Sequence, residues 1–430
     1  MSIGSPQKQM VPRPIKMFSL HRSHLKVKHV VLLWMLVFCL GWWFYIGSPA
    51  EEQLCNIHTI KALTCDRFKK GIITGTKCSE FCDTEKIEIK RCMSTNPSFQ
   101  VYEGLIRGIK NRKKKVPDTF LTIKQRFEPA EVAYAKPEKG KSMDDFRIML
   151  SGYLARKFGE GDHEDVVMKI LEVADVNNDG KVSLAEAKTM WALLQEKEFL
   201  NTMLMIESDH IPKLYGFCGS MYITEGVMDY QLYGSNLPGF VYSILPAGLK
   251  SASEQAAAPQ WYHKAHITVG LLEFVEEMYD SPKGNMHFCN ANRHSIGYTN
   301  NFDVKVLDLD NIYLENKLID TLKEFPCHKN VDCVVGNDCR SLCNMETQHC
   351  TGEILFPNLR KVCSMIYNYL LYRAPDSIKE KIQENLDKCI KLVTTDSDMQ
   401  LKHSLILNEL KNLLWTQIAD LKKFSNTKPK

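Results

Sequence analysis

An apolar run from Val30 to Ile46, VVLLWMLVFCLGWWFYI, carries no charge in 17 residues and splits the chain into two unequal parts. That length is at the short end for a transmembrane helix. The core of a cleaved signal peptide is the alternative. Against it, no clear small-residue cleavage site follows, and the Trp-Trp-Phe-Tyr end matches an interfacial aromatic belt. Gly47, Ser48 and Pro49 then close the helix. Upstream lie six basic residues, Lys8, Arg13, Lys16, Arg22, Lys26 and Lys28, and no acidic one. A basic flank stays cytosolic. Residues 1–29 are therefore expected in the cytosol, 30–46 as a single-pass signal anchor of type II, and the rest in the lumen.

The cysteines fit that topology. Of 15, only Cys39 lies in the apolar run. The other 14 fall on the expected lumenal side, where an oxidising compartment favours disulfides. Cys55, Cys65, Cys78, Cys82 and Cys92 form one cluster, and Cys327, Cys333, Cys339, Cys343 and Cys350 another. Structural zinc is the rival, but no CxxC pair occurs and neither cluster has a tidy quartet of ligands. Connectivity stays open. Removing the six N-terminal cations from the 55 basic residues leaves 49 against 51 acidic ones. A nearly neutral domain has no basic surface that points to nucleic acid.

Residues 175–186, DVNNDGKVSLAE, have the spacing of an EF-hand calcium loop. Asp175, Asn177 and Asp179 stand at positions 1, 3 and 5, and Gly180 stands at the sharp turn. Lys181 would give its carbonyl, Ser183 sits at position 9, and Glu186 can grip with both oxygens. These six are the expected Ca2+ ligands. An Asp/Asn-rich surface turn is the plainer reading. With three carboxylates, the affinity expected is about 10⁻⁴–10⁻³ M.

The remaining pattern is α+β. TFLTIKQRF (119–127) alternates as a strand does. Residues 142–158 and 163–174 have helical spacing, and 183–206 reads as one long helix leaving the calcium loop. Residues 210–227 read as two short strands about a Gly turn, 263–279 as an amphipathic helix, 302–312 as a strand, and 355–422 as helical. NRKKK (111–115) reads as a solvated turn. The order of chemical groups is that of a protein kinase: a strand lysine, Lys124; a helix glutamate, Glu198; a loop at 284–298; and an aspartate after an apolar strand, Asp308. Alone, each has a bland reading, such as a surface lysine or a strand-capping aspartate.

CDRFKKGIITGTKCSEFC, SLAEAKTMWALLQEKEFL, HIPKLYGFCG, ITVGLLEFVEEMY, DCVVGNDCRSLC and HSLILNELKNLLW carry a closer likeness. Through them the chain resembles the divergent protein kinase domain 1 family, cysteine-rich type II membrane proteins of the endoplasmic reticulum. The resemblance spans nearly all of residues 20–425. It implies a two-lobed, kinase-like lumenal fold with an EF-hand inserted in the N-lobe, and residence in the endoplasmic reticulum. The expected organisation is 1–29 cytosolic, 30–46 anchor, 47–162 Cys-rich start and N-lobe strands, 163–206 EF-hand insertion and following helix, and 207–430 the rest, with the Cys-rich segment 327–350. Lys124, Glu198 and Asp308 take the nucleotide and metal places, with Glu225 and Ser295 expected beside the cofactor, which would be ATP with Mg2+ or Mn2+. Partners would be other lumenal proteins.

Two departures follow. The family's catalytic Asp and Asn fall on Asn290 and Ser295. An amide cannot take the proton of a substrate hydroxyl, and loss of such a base costs about 10²–10⁴ in rate. Gly71-Ile-Ile-Thr-Gly75 also lacks the GxGxxG form of a phosphate loop. A pseudokinase or very weak kinase is the expectation, and an active kinase of lumenal proteins the alternative. A type II glycosyltransferase using Asp308-Leu309-Asp310 is a third reading. Calcium would either staple the insertion or set Glu198 through one rod running from Glu186.

Overall fold

The computed structural model describes residues 27–46, 57–93, 99–108, 110–111, 114–115, 118–126, 136–227, 232, 244–395 and 397–426. It separates into two units, residues 1–54 and 55–430. The first contains helix α1 (Val27–Ile46), 20 residues long. Its described side chains fall between Lys28 and Trp42, so the expected span 30–46 is helical but lies partly outside them. Among the described residues no helix is long and apolar enough to cross a membrane.

The second unit opens with helices α2 (Ile57–Lys69) and α3 (Cys78–Cys82). An antiparallel sheet follows, built from β1 (Ile87–Cys92), β2 (Phe99–Ile106), β3 (Thr119–Arg126), β4 (Leu214–Cys218) and β5 (Met221–Glu225), in the order β1-β2-β3-β5-β4. Around the NRKKK stretch, Lys110–Asn111 pairs antiparallel with Lys114–Lys115, and residues 112–113, part of the expected solvated turn, lie outside the described residues. The expected strands at 119–127 and 210–227 are present, and Gly219, at φ +62°, makes the turn between β4 and β5. Side chains alternate across a strand. Leu121 and Ile123 therefore enter a small core with Ile60, Phe81, Tyr102, Met221 and Ile223, under the two cysteine-bonded helices. The next residue, Lys124, turns to the other face.

Helices α4 (Met143–Phe158) and α5 (Glu164–Ala174) lie where their periodicity places them. Ser142 caps α4, its hydroxyl accepting from Asp145 N–H while Asp145 accepts from Ser142 N–H at 2.8 Å. Beyond the 175–183 turn, α6 (Leu184–Leu194) has the same reciprocal cap between Ser183 and Glu186. The single helix expected over 183–206 is not observed. It breaks at Glu196, whose backbone is extended (φ −81°, ψ 118°), and α7 (Lys197–Leu204) starts afresh. No Gly or Pro causes this. The cause is tertiary: from Glu198 to Leu204 every residue of α7 is buried, and the break lets α7 enter that place independently of α6.

The lower part is mainly helical. After α8 (Ala247–Ala257), helix α9 (Trp261–Tyr279) packs against α11 (Asn358–Leu371) and α13 (Met399–Asn426), with α12 (Asp376–Cys389) beside them. The strand expected over 302–312 is instead two short ones, because each must pair with a different partner. β8 (Val304–Val306) pairs β7 (Ile296–Tyr298), and β9 (Ile312–Leu314) pairs β6 (Met286–Phe288). The turn between β8 and β9 holds Asp308, Leu309 and Asp310. Helix α10 (Glu315–Lys323) leads into the Cys-rich segment.

The disulfides settle what spacing left open. They are Cys65–Cys82, Cys78–Cys218, Cys289–Cys339, Cys327–Cys343, Cys333–Cys350 and Cys363–Cys389, and Cys92 is also bonded. Among the described residues the only free cysteine is Cys39.

Candidate functional site in a kinase-like fold

The alternation of β3 directs Lys124 away from the small core, and the first turn of α7 directs Glu198 toward it. The two form a buried ion pair. Burial pushes the Glu198 carboxyl above its usual range, opposed by Lys124 and reinforced by the nearby Asp310 and Asp308 carboxylates. Tyr222 stands opposite Lys124 on β5, and burial holds its phenol well above the ordinary value. Lys124 Nζ also reaches the carbonyl of Leu307 at 3.4 Å, one residue before Asp308.

Asp308 is held by N–H donors. Its Oδ1 accepts from Asp310 N–H at 3.1 Å, and its Oδ2 accepts from Asn290 Nδ2 at 2.8 Å. The Asn290 Oδ1 in turn accepts from Asn292 Nδ2 at 2.7 Å and from Asn337 Nδ2. Ser295 is buried. Its N–H donates to Asn292 Oδ1 at 3.1 Å and its carbonyl accepts from Leu307 N–H at 2.8 Å, which ties the 284–298 loop to β8. Asn201 of α7 donates to the carbonyls of Leu309 at 2.7 Å and Ile312 at 3.2 Å. The Glu198 helix is thereby fastened to the Asp308 turn.

Lys124, Glu198, Asp308, Asn290 and Ser295 thus meet, directly or through one shared neighbour. Glu225 does not join them: it ends β5 and pairs with the buried Lys305 at 3.2 Å. Gly71–Gly75 lies between α2 and α3, not between strands, and the residues 94–98 joining β1 to β2 lie outside those described. Two residues escaped the sequence reading, Asn337 and Asp338. Asp338 Oδ2 accepts from Ala291 N–H at 2.9 Å, and the Cys289–Cys339 bridge clamps both residues to the Asn290 loop. Burial pushes the Asp338 carboxyl up and depresses the neighbouring Lys361 ammonium to about 8. Their one visible signal was an adjacent cysteine.

In the 175–186 turn the side-chain oxygens accept from the turn's own N–H groups. Asp175 accepts from Asp179 N–H (3.1 Å) and Gly180 N–H (2.8 Å), and Asp179 from Lys181 N–H (2.8 Å). Asn177 Oδ1 accepts from Asp179 N–H at 3.2 Å. Glu186 accepts from Val176 N–H at 3.0 Å and Ser183 N–H at 2.7 Å, which bridges the two ends. Gly180 at φ +74° makes the turn that a side chain would strain. The donors are of the kind calcium takes, but among the described residues their carboxylates are not gathered around one point. Among the described residues the only such group of three is Cys327, Cys333 and Cys343, which are spent in disulfides.

A strand lysine paired with a helix glutamate, beside an aspartate after a short strand, defines a protein-kinase-like site. A family model for the protein-kinase domain of FAM69 matches residues 190–392, and one for its N-terminal cysteine-rich ER segment matches residues 21–172. The chain belongs to the FAM69 family.

Proposed function

We propose that this protein is a lumenal, membrane-anchored kinase-like domain of the endoplasmic reticulum that binds calcium and nucleotide and transfers phosphate very slowly or not at all. Helix α1, the disulfide content and the family's ER description support the placement. Lys124 and Asp308 are a cation for phosphate oxygens and a carboxylate for a divalent ion, a set that fits ATP with Mg2+ or Mn2+. When bound, such a metal would neutralise charge on the transferring phosphoryl group. The protein's own part is orientation: Glu198 holds Lys124, and Asn201 holds the Asp308 turn.

The observation that carries the weak-transfer reading is the state of Asn290. Its amide donates to Asp308, and its oxygen is already taken by Asn292 and Asn337. No proton acceptor stands there for a substrate hydroxyl. An active kinase acting on lumenal proteins is the second reading, favoured by the formed Lys124–Glu198 pair. Membership of a kinase-domain family leaves the glycosyltransferase reading of Asp308-Leu309-Asp310 without separate support. Calorimetric titration of ATP with Mg2+ or Mn2+ into the full chain, with calcium and then with a chelator, tests the proposal. Absence of binding in both would remove the nucleotide.

Calcium acts here as a staple. The break at Glu196 removes a continuous rod from Glu186 to Glu198, so an ion in the turn fixes α5 against α6 without levering the Lys124 pair. Calcium at about ten times its dissociation constant is expected to add about 1.4 kcal/mol of stability by mass action. Glu186→Gln should abolish that gain in thermal melts while ATP affinity stays unchanged. A matching loss of ATP affinity would restore the lever.

A further inference from the structure

A cleft of about 710 Å³ lies beside the Asn290 loop, walled by α8, residues 291–293, the Cys-rich segment and α11. Six charged side chains line it. Arg293 pairs with Glu254 at 2.5 Å, and Lys361 with Asp338 at 3.7 Å. That leaves two guanidiniums, Arg340 and Arg360, outside any ion pair among the described residues, although the Arg340 charge is felt at the Asp338 carboxyl. Arg340 is exposed. Arg360 lies over the Phe356 ring at 3.8 Å and donates one N–H to Leu392 O at 2.9 Å, which fixes its plane. A planar guanidinium held in place is a preformed receptor for a carboxylate or other oxyanion.

The rest of the lining identifies the occupant. Asn292, Asn337 and Asn368 also face the cleft. Asn292 is already spent, its Nδ2 on Asn290 and its Oδ1 on the His294 and Ser295 N–H groups, and the Asn337 amide donates to Asn290. The Asn337 oxygen and the Asn368 carboxamide remain, an acceptor and a donor–acceptor pair that suit a peptide backbone and are wasted on a bare anion. Two of the three, Asn292 and Asn337, are the residues that hold Asn290, so a chain in the cleft would pass directly beside the catalytic-base position. The Cys289–Cys339 bridge joins two of the walls and lowers the entropy cost of binding.

We propose that this cleft binds an extended acidic segment of another polypeptide, with Arg340 and Arg360 receiving its carboxylates. The inference goes beyond nucleotide binding, because it needs neither ATP nor a base. It is tested by fluorescence anisotropy with the full-length protein, no nucleotide, and labelled peptides of alternating Glu and Ser or Lys and Ser. The Glu peptide should bind, the Lys peptide should not, and salt should weaken the complex. Arg340→Glu, at an exposed position, should weaken it by about tenfold or more. Arg360→Gln should weaken it as well, with circular dichroism as a check on folding. Equal binding of the two peptides, or equal affinity of Arg340→Glu and wild type, would overturn the assignment. Displacement of the Glu peptide by inorganic phosphate at the same concentration would overturn it too, by making this a simple anion site.

Discussion

Asn290→Asp is expected to raise phosphotransfer from ATP by about 10²–10⁴, the range that a positioned general base supplies. The geometry around the new carboxylate is already built. Asn292 and Asn337 now donate to the Asn290 oxygen and would donate equally to an aspartate, which favours its ionised form. What is lost is the donation from Asn290 Nδ2 to Asp308. Two carboxylates would then face each other, so the gain should appear only with Mg2+ or Mn2+ present to separate them. Adding Ser295→Asn should help further if a second metal ligand is limiting. The measurement is transfer of labelled phosphate to the protein itself or to a generic acceptor, with Asp308→Asn in the Asn290→Asp background as control. Lys124→Met is a poorer control, because stranding the buried Glu198 costs about 3–5 kcal/mol and confuses folding with chemistry. A variant that binds ATP yet transfers no faster than the parent would show that the missing base is not what limits this protein.

The order of the parts was legible in the sequence, and their contacts were not. Period-2 alternation in 119–127 and helical spacing in 142–174 correspond to β3, α4 and α5, because each of these elements buries one face or stripe. Lys124, Glu198 and Asp308 could be nominated from their order and the resemblance, and the structure brings the first two into an ion pair. Periodicity failed where burial is all round. The polar stripe of α7, Lys197, Glu198, Asn201 and Thr202, is itself buried from Glu198 onward, so nothing in the pattern of 183–206 marked the break at Glu196. It failed again at 302–312, where two three-residue strands flank a turn and pairing with β6 and β7 decides the outcome. Disulfide partners up to 140 residues apart leave no local trace. Asn337 and Asp338 were missed for the same reason: they lie 47 residues from Asn290 and Ala291 in the chain, and only the fold, with its Cys289–Cys339 bridge, brings them into hydrogen bonds with that loop.

The largest stability effect should come from the bridge that closes the longest loop. Cys78–Cys218 joins α3 to the end of β4 across 140 residues. On the chain-entropy argument its loss costs about 5 kcal/mol, against about 3 kcal/mol for Cys327–Cys343, which closes only 16. Packing points the same way. Both sulfurs lie in the small core with Ile60, Phe81, Met221 and Ile223, a cluster too small to be held by apolar burial alone. That core backs the strands carrying Lys124 and Tyr222, so loosening it should reach the nucleotide side of the sheet as well. Paired Cys78→Ala and Cys218→Ala substitutions, compared with Cys327→Ala and Cys343→Ala in urea unfolding of the full chain, measure the difference. If the short bridge proves the costlier, the Cys-rich segment and its clamp on the Asn290 loop, rather than the sheet, are where this domain keeps its stability.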